Sequence, residues 1–533
     1  MSLTMVAAPI ARAMPAFIDA DGCARWLRGV PVSDIAKHYE ALYGQLAALT
    51  TAEIAPRERA RVAELMREQV MFLHAEFARR YAGKPQPLTE RELEAAEQAA
   101  ALWTALWEQY SACLKPLLEG EAELQGVKAK LLQRGLWTGK QLVLVYGLAR
   151  RQPPASVWQE LHAYYRLAEM LECAGTAVTD ELMPNAVGLS CYSTYMHALL
   201  LNLADPCAMT VRQIELTDRW LGLWARKVFP YAQQRESEGP VIVIDLDVFE
   251  GAKLFPMSPG KPTESMRYGY PAKLVTSVRG RLKRLSTGAN PAELQLGHDV
   301  SVEICAALLS HLDACWYAVR RKNTSPVESD IGLCVGGLAA VYFRLAGRTF
   351  SPRDVQELSY QGSQQLATLG AVADYDRNKE EADRSWAWER WQGPCGVVEA
   401  VLQRIGGGQH RWHLEQLVVL RVRERIRCGH VTRVVVDAKA RLSITLKLWP
   451  GTPAPLALRA LSAIVSEEPA IPAVMLTIAT EEKPFLILAP RTFSPARVLC
   501  TVASGTEERR FRLTRLVQRG ADFERVAFEE CAA

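Results

Sequence analysis

The sequence predicts a multidomain α+β protein: a helical N-terminal half of repeat-like texture, a mixed α/β middle region, and one or two C-terminal antiparallel β-barrels. Three observations carry this. Apolar residues recur at three- and four-residue spacing from Val32 to Gln234, the mark of amphipathic helices. From Gly396 onward, short runs of Val, Leu, Ile and Thr alternate with turn signals such as Gly406-Gly407-Gly408, Cys428-Gly429 and Pro450-Gly451, as small barrels require. Finally, 533 residues with 49% hydrophobic content exceed what one core accommodates, so about two to four domains are expected.

Each element follows in order. Residues 1–235 are expected to form an all-helical interaction domain. Ser33 is a plausible N-cap for a helix through Ile35, Tyr39, Leu42, Leu46 and Leu49. Thr89 and Glu92 have the spacing of a capping box, opening a helix through Trp103, Leu106, Trp107 and Tyr110. After Pro153-Pro154, another helix runs from Ser156 through Trp158, Leu161, Tyr164 and Tyr165, and Val211–Val228 sets Trp220 and Trp224 one turn apart. Residues 236–373 form the mixed region. It comprises a β-branched strand from Val241 to Phe249, a Pro/Gly-rich loop from Phe255 to Pro271, helices over Tyr270–Leu285 and Val302–Val319, and a buried strand over Ile331–Leu345. Residues 374–395 read as a charged, Trp-rich connection, and residues 396–533 as the β-rich part.

Charge and composition narrow the function. With 63 Lys+Arg against 59 Asp+Glu, the net charge of +4 is too small for a general nucleic-acid-coating protein, so any anion site is local. The longest apolar runs fall short of the ~18–20 residues of a membrane span. The first 22 residues lack the layout of a secretory signal. Twelve cysteines without a C-x-x-C pair fit buried thiols in the cytoplasm better than a disulfide framework or a zinc ribbon.

Several patterns are candidate sites. Val241–Phe249 contains Asp245-Leu246-Asp247, and a strand ending in Asp-x-Asp is how haloacid-dehalogenase-type phosphotransferases present a nucleophile beside Mg²⁺. No downstream acidic pair accompanies it, and a strand whose polar end meets solvent is the better explanation. His410, His413, Cys428 and His430 have ligand chemistry without zinc spacing, so no metal site is expected. Ser258-Pro259-Gly260-Lys261 sits in a loop and reads as chance; Gly332, Gly336 and Gly337 read as packing glycines. The basic features stand out. Between Arg421 and Lys447 there are eight Lys/Arg and two Asp/Glu. If this stretch is one strand, Arg421, Arg423, Arg425 and Arg427 share a face, about 7 Å apart. Guanidinium forks in such a row suit phosphate or carboxylate, although charge also protects edge strands from aggregation. Further basic clusters are Arg279, Arg281, Lys283 and Arg284, and Arg320-Arg321-Lys322. Trp386, Trp388, Trp391 and Trp412 could stack on a base, but such spacing more often serves packing.

The layout as a whole resembles a known family. The residues that carry the likeness are Val157–Glu169, Tyr195–Pro206, Arg284–Gly297, Cys334–Tyr342 and the tail Phe523–Glu529. They resemble betaproteobacterial cytoplasmic proteins with a helical N-terminal half and a C-terminal PilZ-like barrel, the module that binds cyclic di-GMP. The PilZ signature is R-x-x-x-R followed by [DN]-x-S-x-x-G. In this sequence the turn falls at Trp391–Gly396, with neither the acid or amide nor the Ser. The literal R-x-x-x-R strings are Arg344–Arg348, far upstream, and Arg421–Arg425, downstream. The resemblance therefore implies a non-enzymatic regulatory protein with a degenerate nucleotide site. Its ligand would be cyclic di-GMP, with no other cofactor. The anion contacts would be Arg421, Arg423, Arg425 and Arg427, with Arg344 and Arg348 as a second set. A protein partner would dock on the helical half. The alternatives are a phosphotransferase at Asp245 and Asp247, or a ligand-free scaffold.

Overall fold

The computed structural model describes residues 14–183, 188–256, 262–318, 325–350, 381–461, 469–477, 484–502 and 508–531. The chain divides into two units: residues 1–84, 88–321 and 437–440, and residues 85–87, 322–436 and 441–533.

In the first unit the chain opens with the helices α1 (Ala20–Leu27), α2 (Ile35–Thr51), α3 (Pro56–Tyr81), α4 (Glu90–Ser111), α5 (Leu114–Leu118), α6 (Ala122–Gln125), α7 (Lys128–Leu148), α8 (Ala155–Met170), α9 (Cys191–Leu203) and α10 (Val211–Trp224). Their starts follow the sequence signals. Thr89 forms the expected capping box with Glu92, and Pro56 occupies the first turn of α3, where a missing N–H costs nothing. The cap of α2 is Asp34, one residue after Ser33, whose carboxylate accepts from the Lys37 N–H.

α7 is the hub. It is buried on nearly every side and packs against α4, α8 and α9. Two glycines allow this, because a Cβ at Gly135 would overlap the Tyr164 ring and one at Gly139 would meet Trp107 and Leu161. The polar side chains carried inside are paired: Arg134 with Glu64 at 3.1 Å, and Lys140 with Asp218 at 2.9 Å. An unpaired charge at such depth would cost several kcal/mol, roughly 3–5.

The same core continues past residue 235. A three-stranded antiparallel sheet, order β2-β1-β3, is built from β1 (Val241–Asp245), β2 (Lys253–Phe255) and β3 (Met266–Gly269). Ile242 and Ile244 of β1 join the helical core together with α11 (Ala272–Ser286) and α12 (Val302–Tyr317). β3 lies in the stretch read as loop. Its four residues, Met-Arg-Tyr-Gly, show no alternation, and it becomes a strand by pairing with β1 from Ile242 to Asp245.

The second unit holds two closed barrels. The first has the order β4-β5-β6-β9-β8-β7, formed by β4 (Val327–Cys334), β5 (Glu389–Pro394), β6 (Glu399–Arg404), β7 (Leu417–Val422), β8 (Arg425–Val436) and β9 (Leu442–Leu448). The second, β10-β11-β12-β15-β14-β13, uses β10 (Thr452–Ala460), β11 (Ile471–Thr477), β12 (Phe485–Leu488), β13 (Val498–Thr501), β14 (Arg510–Arg519) and β15 (Glu524–Cys531). Both are antiparallel, so the expected α+β architecture with C-terminal barrels is what the chain forms. The expected borders at 235 and 396 fall inside the two units, since β1 belongs to the helical core and β4 and β5 are barrel strands.

Ile331–Leu345 is not one strand. β4 ends at Cys334, the chain turns through Gly336 and Gly337, both at positive φ, and α13 (Gly337–Ala346) follows. Leu338, Val341, Tyr342 and Leu345 have helical spacing, which a continuous apolar run conceals. α13 and the outer faces of β7, β8, β11 and β12 share a core of Leu338, Val341, Val419, Cys428, Val474, Ile487 and Phe523 that joins the barrels.

Candidate ligand-binding face of the first barrel

β4 runs between β5 and β7, and Gly332 at its centre is in register with Arg390 on one side and Arg421 on the other. Alternation places these two arginines on the outer surface, where both are exposed. Trp388, which leads into β5, lies over Gly332; a Cβ there would stand 3.1 Å from the indole. The missing side chain lets the ring lie close to the strand, which is the packing role expected of this glycine.

Two guanidinium groups lie over this indole. The Arg421 carbon Cζ is 4.8 Å from the ring centroid, and that of Arg344, from α13, is 5.1 Å away. Their situations differ. Arg344 is only 12% exposed; its Nε donates to the Trp386 carbonyl at 3.1 Å and its Nη1 to Asp383 Oδ1 at 2.9 Å, with a further bond from Nη2 to Trp386. It anchors the Trp386–Trp388 segment. Arg421 makes no hydrogen bond or ion pair among the described residues, so its donors face solvent beside a half-buried indole. Arg390 completes the face, 3.7 Å from the exposed carboxylate of Asp330. Chemically this is a half-buried aromatic ring with unspent cationic donors beside it, suited to a planar base and a phosphate.

The expected four-arginine row does not form. Val422 pairs with Arg425 and Leu420 with Arg427, because Arg423 and Glu424 are the turn of a two-residue hairpin. Arg423 takes a positive φ of 55° there, and its side chain reaches Glu328 at 3.5 Å. Cross-strand partners share a face, so Arg425 and Arg427 lie on the side of Leu420 and Val422, which line the barrel interior, while Arg421 lies on the outside. Arg427 donates to the carbonyls of Gly396 at 2.8 Å and Val397, and Arg425 is exposed. A hairpin inside a charged run carries no glycine or asparagine signal here, so the sequence conceals it. Arg348 is exposed beyond Gly347, which ends α13. The structure thus brings Arg344 and Arg421 together through Trp388 and leaves Arg348, Arg423, Arg425 and Arg427 elsewhere.

The remaining sequence candidates resolve individually. Asp245 Oδ1 accepts from the Asp247 N–H at 3.1 Å, closing the turn after β1, and the Asp247 carboxylate pairs with Arg166. The two carboxylates are thus used structurally, on an antiparallel strand rather than at the carboxyl edge of a parallel sheet. Among the described residues, no group of three His, Cys, Asp or Glu is placed to hold a metal ion. His430 is buried and stacks on Trp449 at 5.5 Å between centroids; burial, with Lys447 and Arg525 nearby, lowers its pKa to about 4. Trp391 and Trp412 are packing residues, in edge contact at 5.0 Å inside the barrel. The patterns at Ser258–Lys261 and Arg320–Lys322 lie outside the described residues.

Sequence reasoning missed Trp388 with Arg390 as part of one face, although the alternation of Trp391 with polar neighbours marks β5.

Fold and face together define a class: a helical domain followed by antiparallel barrel modules, one of them bearing a surface fit for a nucleotide-like anion. Comparison with known proteins finds likeness to a receptor family in the N-terminal half. Residues 21–231 match the family described as the N-terminal domain of the cyclic-di-GMP receptor FimW. The cyclic-di-GMP receptor FimW of Pseudomonas aeruginosa is 25% identical over 330 residues, which cover 61% of this chain and 53% of that protein. This chain therefore spans about half the length of that relative. No solved structure matches. The resemblance read from the sequence and the likeness found by comparison agree. No helix among the described residues is long and apolar enough to cross a membrane.

Proposed function

We propose that this protein is a non-enzymatic receptor of cyclic di-GMP whose nucleotide docks on the outer face of the first barrel. The observation that supports it is Trp388 with Arg421 over its ring, in a chain whose N-terminal half is similar to a cyclic-di-GMP receptor. Cyclic di-GMP has two guanines and two phosphodiesters. Arg421 can offer its planar guanidinium to a guanine face or edge, and Arg390 can meet a phosphate. Arg344 serves as a positioning residue, and Arg423, Arg425 and Arg427 contribute to the positive field rather than to contact. The helical unit is the surface for a protein partner. A cytoplasmic location suits the twelve free cysteines.

Calorimetric titration of the full chain with cyclic di-GMP, with GTP and cyclic di-AMP as controls, tests this reading. Saturable binding selective for cyclic di-GMP supports it. The absence of heat at both low and physiological salt would leave the barrels as ligand-free modules of a scaffold.

A further inference from the structure

A second cationic site lies in the helical unit, at one of the basic clusters the nucleotide reading leaves unused. Helix α11 carries Lys273, Arg279, Arg281, Lys283 and Arg284 and no acidic residue. Arg279 is neutralised by Asp313 at 2.8 Å. Arg281 is not. Its Nε donates to the Leu294 carbonyl at 3.0 Å, its Nη1 donates to the Ser277 carbonyl at 3.2 Å and to the Ser277 hydroxyl, and its plane lies 5.0 Å from the buried Trp224 ring.

Facing it, Lys227 ends the short 3₁₀ turn Ala225–Lys227 after α10, and its Nζ donates to the same Ser277 hydroxyl at 2.7 Å. Two cations therefore converge on one neutral oxygen. Among the described residues, the charges that disfavour the Lys227 cation are Arg281 and Arg226, and Arg284 likewise disfavours the Arg281 cation; all of them are cations. Each loses stabilisation by burial as well. Among the described residues, the donors not spent on protein acceptors are two N–H of the ammonium, Nη2 of Arg281 and the Ser277 O–H, a set that lacks only an acceptor. Like charges held together at partial burial are unfavourable unless an anion sits among them.

We propose that Lys227, Ser277 and Arg281 bind a phosphate-type oxyanion, at a site independent of the barrel face. Arg281 supplies a preorganised fork, Lys227 a mobile point charge, and Ser277 a neutral donor between them. A doubly charged phosphate matches the two cations better than a phosphodiester does.

The test is calorimetric titration of the full chain with inorganic pyrophosphate at physiological ionic strength, with chloride as control. Saturable heat is expected, at least tenfold weaker in Lys227→Met and unchanged in Arg421→Ala. No pyrophosphate heat, or equal binding in a folded Lys227→Met, overturns the proposal. Ser277→Glu serves as a second variant, because it places a carboxylate between the two cations. It is expected to abolish pyrophosphate binding, raise the melting temperature and leave cyclic di-GMP binding intact. Retained pyrophosphate binding with an unchanged melting temperature would overturn the site, and loss of cyclic di-GMP binding would overturn its independence.

Discussion

The guanidinium of Arg421 stacks over the indole of Trp388, 4.8 Å from its centroid, although Arg421 lies on β7 and Trp388 leads into β5, on opposite sides of β4. The contact exists because Gly332 between them has no side chain. A cation over an indole is favourable by about 0.5–2 kcal/mol. Here it also orients a side chain that has no other partner among the described residues. Trp388→Ala removes the platform, and base stacking is worth roughly 1–3 kcal/mol per base, so cyclic di-GMP affinity should drop about 10- to 100-fold. Arg421 is exposed, so Arg421→Ala should weaken binding with little change in melting temperature. Titration of both variants checks this.

The two ends of the Arg344-x-x-x-Arg348 string should behave differently. Arg344 anchors Trp386 and Asp383 and lies over Trp388, so Arg344→Ala should lower both stability and affinity. Arg348, exposed after α13, should be neutral for both. Equal effects on binding would show that the string works as a motif rather than through Trp388.

Glu389 is 7% exposed and organises the loop before Trp412. Its carboxylate pairs with Arg404 at 2.9 Å and accepts from the His410 N–H at 2.8 Å and the Trp412 Nε1 at 3.3 Å. Glu389→Ala leaves Arg404 buried without its counter-ion, which costs about 3–5 kcal/mol. Denaturant unfolding followed by circular dichroism should show that loss. Glu389→Gln, which keeps acceptor capacity but not charge, should also destabilise.

The buried imidazole of His430 gives a pH dependence of defined sign. Its folded pKa of about 4 lies below the ordinary 6.5, so the folded state refuses a proton that the unfolded state accepts. Its contribution is constant above about pH 6.5 and declines as pH falls from there towards 4, by about 1.4 kcal/mol per pH unit. Stability of the barrel unit should therefore decrease over that window. His430→Phe keeps the ring contact with Trp449 and should flatten the slope.

Much of the fold is legible from local pattern. Thr89-x-x-Glu92 announces α4 because both halves of a capping box are local, and the β-branched run at Val241 announces β1. What escapes depends on partners distant in sequence. Met266–Gly269 becomes a strand by pairing with β1, and Ile331–Leu345 splits into strand and helix at two glycines whose positive φ no apolar count reveals. The site shows the same division. Alternation at Arg421–Arg427 is genuine in the sequence, but a hairpin at Arg423-Glu424 sends half of the row to the other face. Trp388 meets Arg421 only because β5 and β7 flank β4, and Arg344 only because α13 packs against β7.

The most direct test of the account is the titration of the full chain with cyclic di-GMP side by side with Trp388→Ala, at low and physiological salt. The account predicts selective binding by the native chain and a loss of at least tenfold in the variant with the fold intact. Native binding that survives Trp388→Ala unchanged would contradict it and move the nucleotide off the first barrel.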